Sequence, residues 1–269
     1  MNINYLKKLY KKEKVETDIW VNEALFGYGQ IIEHIENLDH KSSILEVGCG
    51  SGILLSMFSS RFKKLYFQGI EPFGDGFSSI SKLNQFIKKQ GVNILNVGYE
   101  DFKPKKKYDL IYCVNVFEHL KDWKFFIQSI ELWLKKNGRL IILCPNYGFP
   151  YESHFGIPVI FNKKTTYLLF RSHIDRYEVN NSVKGLWHSL NFVTKKKLVN
   201  FVKKNSSLVL IDDMSIMYTM LNRLTDDIEF SRRHKILGRT AIFFKKIGFF
   251  NILYLFPNKM PYMKIQIIK

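Results

Sequence analysis

The sequence predicts an α/β fold: a mostly parallel sheet of seven strands with an antiparallel last strand, helices on both faces, and helical lid insertions. Three observations carry this. Short apolar runs alternate with segments of helical period along most of the chain. Ile44-Leu45-Glu46-Val47 runs into Gly48-Cys49-Gly50-Ser51-Gly52, and Ile53-Leu54-Leu55 follows at once, which reads as a buried strand, a sharp turn and a helix start. The next apolar run, Leu65 to Ile70, ends in an acid, Glu71, 19 residues beyond Gly52.

Residues 1–17 are basic and read as a loose or partly helical arm. Residues 18–38 put Trp20, Ala24, Leu25, Tyr28, Ile31, Ile32 and Ile35 on one helical stripe, so residues 1–37 form an N-terminal helical arm ahead of the main domain at 38–269. Strand 43–48 then meets the three glycines. Glycine suits such a turn because it takes positive φ freely and lets a ligand lie on bare backbone. The helix that follows, 52–63, offers unpaired N–H groups and a positive dipole end to an electron-rich ligand. The spacing is G-x-G-x-G; Ile53 stands where a dinucleotide fingerprint needs its last glycine. Glu46, just before the turn, can face an ammonium group.

Glu46 to Gly52 resembles the first motif of class I methyltransferases that use S-adenosylmethionine, enzymes of Rossmann-like fold. The resemblance implies that Glu46, Gly48, Gly50 and Gly52 bind that cofactor. The strand-end position of Glu71 puts a carboxylate beside the turn, able to accept hydrogen bonds from the ribose hydroxyls.

A helix from Ser78 to Gln90, ended by Gly91, and a short strand at 94–97 come next. In the family resembled, the acid that follows binds the adenine amino group and the next backbone N–H meets a ring nitrogen. Asp101 and Phe102 fill those places, with Glu100 one position earlier. Tyr108 to Val114 reads as the fourth strand, with Asn115 at its tip, where its carbonyl can accept from the methionine ammonium. Phe117-Glu118-His119-Leu120 resembles a passage of small-molecule O-methyltransferases related to ubiquinone biosynthesis. Some of those bind a divalent metal through a Glu-x-x-Glu-His set; Asn115 stands in place of the first glutamate, and no metal is expected. Asp122 caps a helix bearing Trp123, Phe126, Ile127, Ile130 and Leu134, which Asn137-Gly138 is expected to stop, and Arg139 to Asn146 is the fifth strand. The matches to the family run through 43–146 in order.

Residues 147–192 carry aromatics and histidines without clear periodicity, a loop-rich insertion where such enzymes build the substrate lid. Thr194 caps a helix at 195–204; 208–212 and 261–268 are the sixth and seventh strands. Between them lies a helical insertion, 213–258. Its stretch 243–256, within 240–258, either lies on a membrane surface or packs on its own domain or on a second copy of the chain as a homodimer.

The chain has 269 residues, a net charge of +17 and three cysteines. That charge is either a lysine-rich solvated surface or a footprint for nucleic acid or an anionic membrane, but neither Lys105-Lys106-Lys107 nor Lys195-Lys196-Lys197 resembles a nucleic-acid module, and no specific nucleic acid is expected. Dispersed Cys49, Cys113 and Cys144 give no zinc or disulfide pattern. The first residues lack the apolar core of a signal peptide and no 18-residue apolar window occurs, so the expectation is a cytoplasmic protein, with peripheral membrane contact as the alternative.

Methyl transfer from a sulfonium is an in-line displacement, so the protein chiefly orients; a hydroxyl acceptor also needs a base. His154 comes first, with Glu152 as an orienting acid nearby, and His119 and His188 follow. The Asn/Asp-Pro-Pro-aromatic sequence of base-amino methyltransferases is missing after the fourth strand. The expected acceptor is a small molecule or a glycan, with polysaccharide biosynthesis as the setting. A catalytically silent partner subunit and a basic RNA- or membrane-binding protein are the alternatives.

Overall fold

Strand β1 (Ser43–Val47) is buried along its whole length, as a strand covered on both faces must be. It lies near the middle of a seven-stranded sheet. In the computed structural model, which describes residues 18–74, 77, 80–227, 230, 231, 243, 246, 248 and 255–269, its neighbours are β2 (Tyr66–Ile70) and β4 (Tyr108–Val114), both parallel to it. Beyond β2 lies β3 (Ile94–Leu95). Beyond β4 come β5 (Leu134–Pro145), then β9 (Tyr262–Ile268) and β8 (Val209–Asp212). β9 runs antiparallel to both of its neighbours, as the last strand was expected to. The hairpin of β6 (Tyr151–Glu152) and β7 (Ile157–Pro158), which follows β5 in sequence, forms a separate two-stranded ribbon.

Successive side chains of a strand alternate between faces. Ile111 and Cys113 of β4, with Leu140, Ile142 and Cys144 of β5, join one core; Leu110, Tyr112, Ile141 and Leu143 join the other. Helices α4 (Trp123–Trp133) and α7 (Lys195–Asn205) cover the first face through Phe126, Ile130, Leu198 and Val202. Helices α1 (Asp18–Glu36), α2 (Ile53–Arg61) and α3 (Ser81–Lys89) cover the second through Val21, Ile31, Leu55, Phe58 and Ile87. The two caps read from the sequence are present: Asp122 accepts from Lys124 and Phe125 N–H, and Thr194 from Lys197 N–H.

Asn137-Gly138 does not stop α4. The helix ends at Trp133, where Leu134 turns extended, and β5 begins there. Asn137 sits at φ 63°, beside a register shift between Tyr108 and Leu110 of β4. The pair bends a strand rather than ending a helix, as a bulge does. The segment after β5 is not loop-rich throughout, because it contains α5 (Lys163–Asn180), capped by Asn162 and kinked at Phe170. Periodicity missed it because only Thr166 and Ile174 of this helix are buried, while Leu168 and Leu169 are 67% and 65% exposed. A short α6 (Leu186–Ser189) follows, and Phe155, Ile174, Leu186 and Trp187 make a small core of their own. After β8, α8 (Ile216–Asp226) packs Ile216 into the α1 side of the sheet. The arm at 1–17 and most of 243–256 lie outside the described residues, as do Ser78 and Ser79 of the expected helix start. Among the described residues no helix is long and apolar enough to cross a membrane.

Candidate active site

A cleft of about 680 Å³ opens at the carboxyl ends of β1, β2 and β4, the place where open α/β sheets take ligands. Gly48 and Gly50 form part of its wall. Gly48 has φ +68°, and a Cβ there would stand 2.5 Å from both Cγ atoms of Val116, so glycine alone fits between the turn and the β4 tip. Gly52 stands off the cleft. At φ +79° it starts α2, and a Cβ would come within 2.7 Å of Ile94 Cδ1, so its bare backbone serves helix–strand packing. Asn84, buried on α3, donates to the Gly50 carbonyl at 2.7 Å and holds the turn from behind.

Two acids face this turn. Glu71 Oε2 accepts the Gly50 N–H at 2.8 Å and Oε1 accepts the Phe73 N–H at 2.9 Å, so the tip of β2 and the glycines are joined directly. Burial raises the Glu71 carboxyl above its ordinary range, and those two N–H groups hold the rise back. Glu46, 4% exposed, takes a hydrogen bond from the Tyr112 hydroxyl at 3.0 Å, and burial pushes its pKa up to about 8. A carboxylate so placed gains most from a cationic ligand, which would return it to the ionised form. Two buried acids, a turn with glycine at alternate positions and this volume fit S-adenosylmethionine.

The far wall departs from the sequence reading. Val97, Tyr99 and Glu100 border the cleft. Asp101 is exposed on a turn, and Phe102 is buried edge-on against Trp133 at 5.2 Å, in the core below. Asn115 does reach the cleft, with φ +55° at the β4 tip, but its side chain is engaged at both ends. It donates to Glu23 Oε2 at 3.0 Å and accepts from the Tyr262 hydroxyl, so its carboxamide is a strut between α1, β4 and β9. Glu23 in turn binds Arg223, whose guanidinium lies over the Phe26 ring at 4.3 Å. Sequence reasoning missed Glu23. The available signal was an acid on the apolar stripe of α1, between Trp20 and Ala24, and all three border the cleft.

The three histidines separate. His119 and His188 border the cleft, while His154 lies behind His119, with ring centroids 5.2 Å apart. His154 Nδ1 is 2.6 Å from Glu152 Oε1, so the orienting acid is where the sequence suggested. Glu152 is fully buried and also accepts from Phe155 N–H and the Tyr147 hydroxyl; these contacts and the His154 charge hold its carboxyl below the ordinary value against the opposing effect of burial. His119 is kept neutral chiefly by burial, with its pKa well below the usual value. The turn that carries it, Phe117–His119, is tied to the insertion by Asn191, which donates to the Phe117 and Leu120 carbonyls and whose own N–H meets the Glu118 carbonyl.

A family profile described as a methyltransferase domain matches residues 24–196, more than half of the chain. The chain belongs to the methyltransferase-domain family. It is a class I, S-adenosylmethionine-dependent methyltransferase. An uncharacterised protein of Mycobacterium tuberculosis is 32% identical over 214 residues, covering 78% of this methyltransferase and 72% of its own length. The ubiquinone biosynthesis O-methyltransferase of Rickettsia canadensis is 28% identical over 156 residues, 52% of this chain and 63% of that one. Among solved structures, the plantazolicin methyltransferase BpumL in complex with SAH superposes with a TM-score of 0.51 at 12% identity, covering 99% of this chain and 89% of the other. Coclaurine N-methyltransferase bound to N-methylheliamine and SAH gives 0.50 at 13% identity, covering 91% and 70%. At those identities the structures speak to the shared fold.

Proposed function

We propose that this methyltransferase acts on a hydroxyl of a small molecule or of a sugar, held between the glycine turn and the 147–192 insertion. The bound cofactor supplies an activated methyl group on a sulfonium. Glu46 faces its ammonium end, Glu71 has lone pairs left for the ribose hydroxyls, and Glu100 is the acid at the adenine end in place of Asp101. A carboxylate accepts about four hydrogen bonds, so the two backbone bonds at Glu71 leave room for two more.

The observation that carries the hydroxyl reading is the pair of cleft-facing imidazoles opposite the glycines. An alcohol must lose its proton as it attacks, whereas an amine attacks with its own lone pair. His188 borders the cleft and is open to solvent, so it can pass the proton on; we give it the role of base ahead of His119, whose pKa burial lowers, and of His154, which stands behind His119. The ubiquinone O-methyltransferase relative supports the same reading.

The test is transfer of a labelled methyl group to matched alcohol and amine acceptors. His188→Ala should slow alcohol methylation by about 10²–10⁴ and leave amine methylation within a few-fold. Equal losses on both would remove His188 as base. Transfer to amines alone would overturn the hydroxyl assignment.

A further inference from the structure

Helix α7 opens on Lys195-Lys196-Lys197 and has no acid in its first turn. Cations at that end of a helix oppose its dipole, so the arrangement is unfavourable unless negative charge meets it. Lys195 is buried and answered by Asp212 at 2.7 Å. Lys196 and Lys197 are exposed, and so are Lys203 and Lys204 two turns further on. Among the described residues no ion pair joins any of these four, nor Lys124 of α4.

What sets this face apart from an ordinary solvated one is the shape and chemistry between the lysines. Lys197, Asn200, Phe201 and Lys204 share one side of α7, at helical spacing. With Trp123 and Lys124 of α4 they border a groove of about 300 Å³, and no acid borders it. Trp123 and Phe201 meet edge-on at 5.3 Å and both are half-buried, so each keeps ring surface in the groove. Lys124 Nζ stands 5.9 Å from both rings. The acid next in sequence, Asp122, gives its Oδ1 to the Lys124 and Phe125 N–H groups as the cap of α4. Lys197 and Lys204 are about 10.5 Å apart along the helix axis, which lets them hold successive charges of one anionic chain.

We propose that the groove between α4 and α7 binds single-stranded nucleic acid without regard to sequence. One base lies against Trp123 and Phe201, and the phosphates on either side of it meet Lys124, Lys197 and Lys204. Aromatic faces beside a track of cations are what such binding needs, because every base has a π-face and every linkage a charge. A lipid headgroup offers the charge without the ring. The lysine run by itself resembles no nucleic-acid module, and the rings that complete the site are invisible from it, since Trp123 lies 74 residues before Lys197. The site stands independently of the acceptor assigned above.

The experiment uses the full chain and labelled oligothymidylate of about twelve nucleotides, read by fluorescence anisotropy over a range of salt concentrations, beside an abasic strand of the same length. Each phosphate neutralised on a single strand adds about 0.7 to the slope of log affinity against log salt. Lys197→Ala/Lys204→Ala should therefore lower that slope by about 1.4 and weaken binding at least about tenfold at low salt. Its S-adenosylhomocysteine affinity should stay within about twofold, which shows the fold intact. Trp123→Leu should weaken oligothymidylate about tenfold and leave the abasic strand within about twofold. If that variant fails to fold, the wild type carries the same test, binding oligothymidylate about tenfold more tightly than the abasic strand. No binding by the wild type, or a lysine variant with wild-type affinity and slope, would overturn the proposal. Equal affinity for the two strands would overturn it as well and leave the groove a site for anions in general.

Discussion

The two walls of the cleft are built by different means. On the cofactor side a run of five residues, Gly48 to Gly52, is shaped by its own backbone and braced by Glu71 and Asn84 at 2.7–2.8 Å. On the insertion side nothing local suffices: His119, His154 and Ser189 come from three separate segments, and Asn191, Glu152 and a small aromatic core around Trp187 assemble them. A wall made of backbone is specified within a few residues and fails all at once. A wall made of assembled side chains can lose one member and keep its shape. The cleft therefore has one wall set by local backbone and one assembled from distant side chains.

That contrast can be broken most sharply at Gly48. Gly48→Ala forces a Cβ into Val116 at 2.5 Å from a left-handed backbone. The expected cost is about 2–5 kcal/mol in chemical denaturation, with cofactor binding lost. A variant of wild-type stability would mean that the turn yields easily and the contrast is false.

A smaller effect should appear in the pH dependence of cofactor affinity. The Glu46 carboxyl is pushed up to about 8, so at lower pH it is protonated in the free protein and must release that proton to meet an ammonium group. Affinity should rise about tenfold per pH unit up to about pH 8 and flatten above it, with proton release seen in calorimetry across two buffers. Glu46→Gln should flatten the slope. A slope that survives in this variant would place the titrating group elsewhere.

The smallest effect belongs to the outer face of the insertion. Leu168→Ser on α5 removes an exposed side chain and should shift stability by no more than about 0.5 kcal/mol, with cofactor affinity unchanged. A large loss would show that α5 is covered in the working protein.

The same division decides what could be read from the sequence. The strands β1 and β2, the glycine turn and the acid at 71 were legible because each depends on spacing within one βαβ unit. Glu71 lies against Gly50, as a strand-end acid 19 residues past Gly52 should. Of the acids after β3, Glu100 borders the cleft while Asp101 is exposed and the Phe102 side chain is in the core, since a turn after a two-residue strand fixes no side-chain direction. Asn115 does border the cleft, but no local pattern shows that Glu23 and Tyr262, from distant parts of the chain, take up its carboxamide. The 18-residue helix α5 was invisible because Leu168, Leu169 and Val179 face outward and break the apolar stripe that Ile174 belongs to. The approach of His154 to His119 is a property of tertiary packing alone.

The central claim is that the glycine turn and the acid at the tip of β2 together clasp one molecule of cofactor. Calorimetric titration with S-adenosylhomocysteine tests it on the wild type and on Glu71→Ala. Losing a charged acceptor costs about 1.5–3 kcal/mol per hydrogen bond, so the variant should bind about ten- to a hundredfold more weakly at unchanged stoichiometry. No heat from the wild type, or equal affinities in the two proteins, would contradict the account.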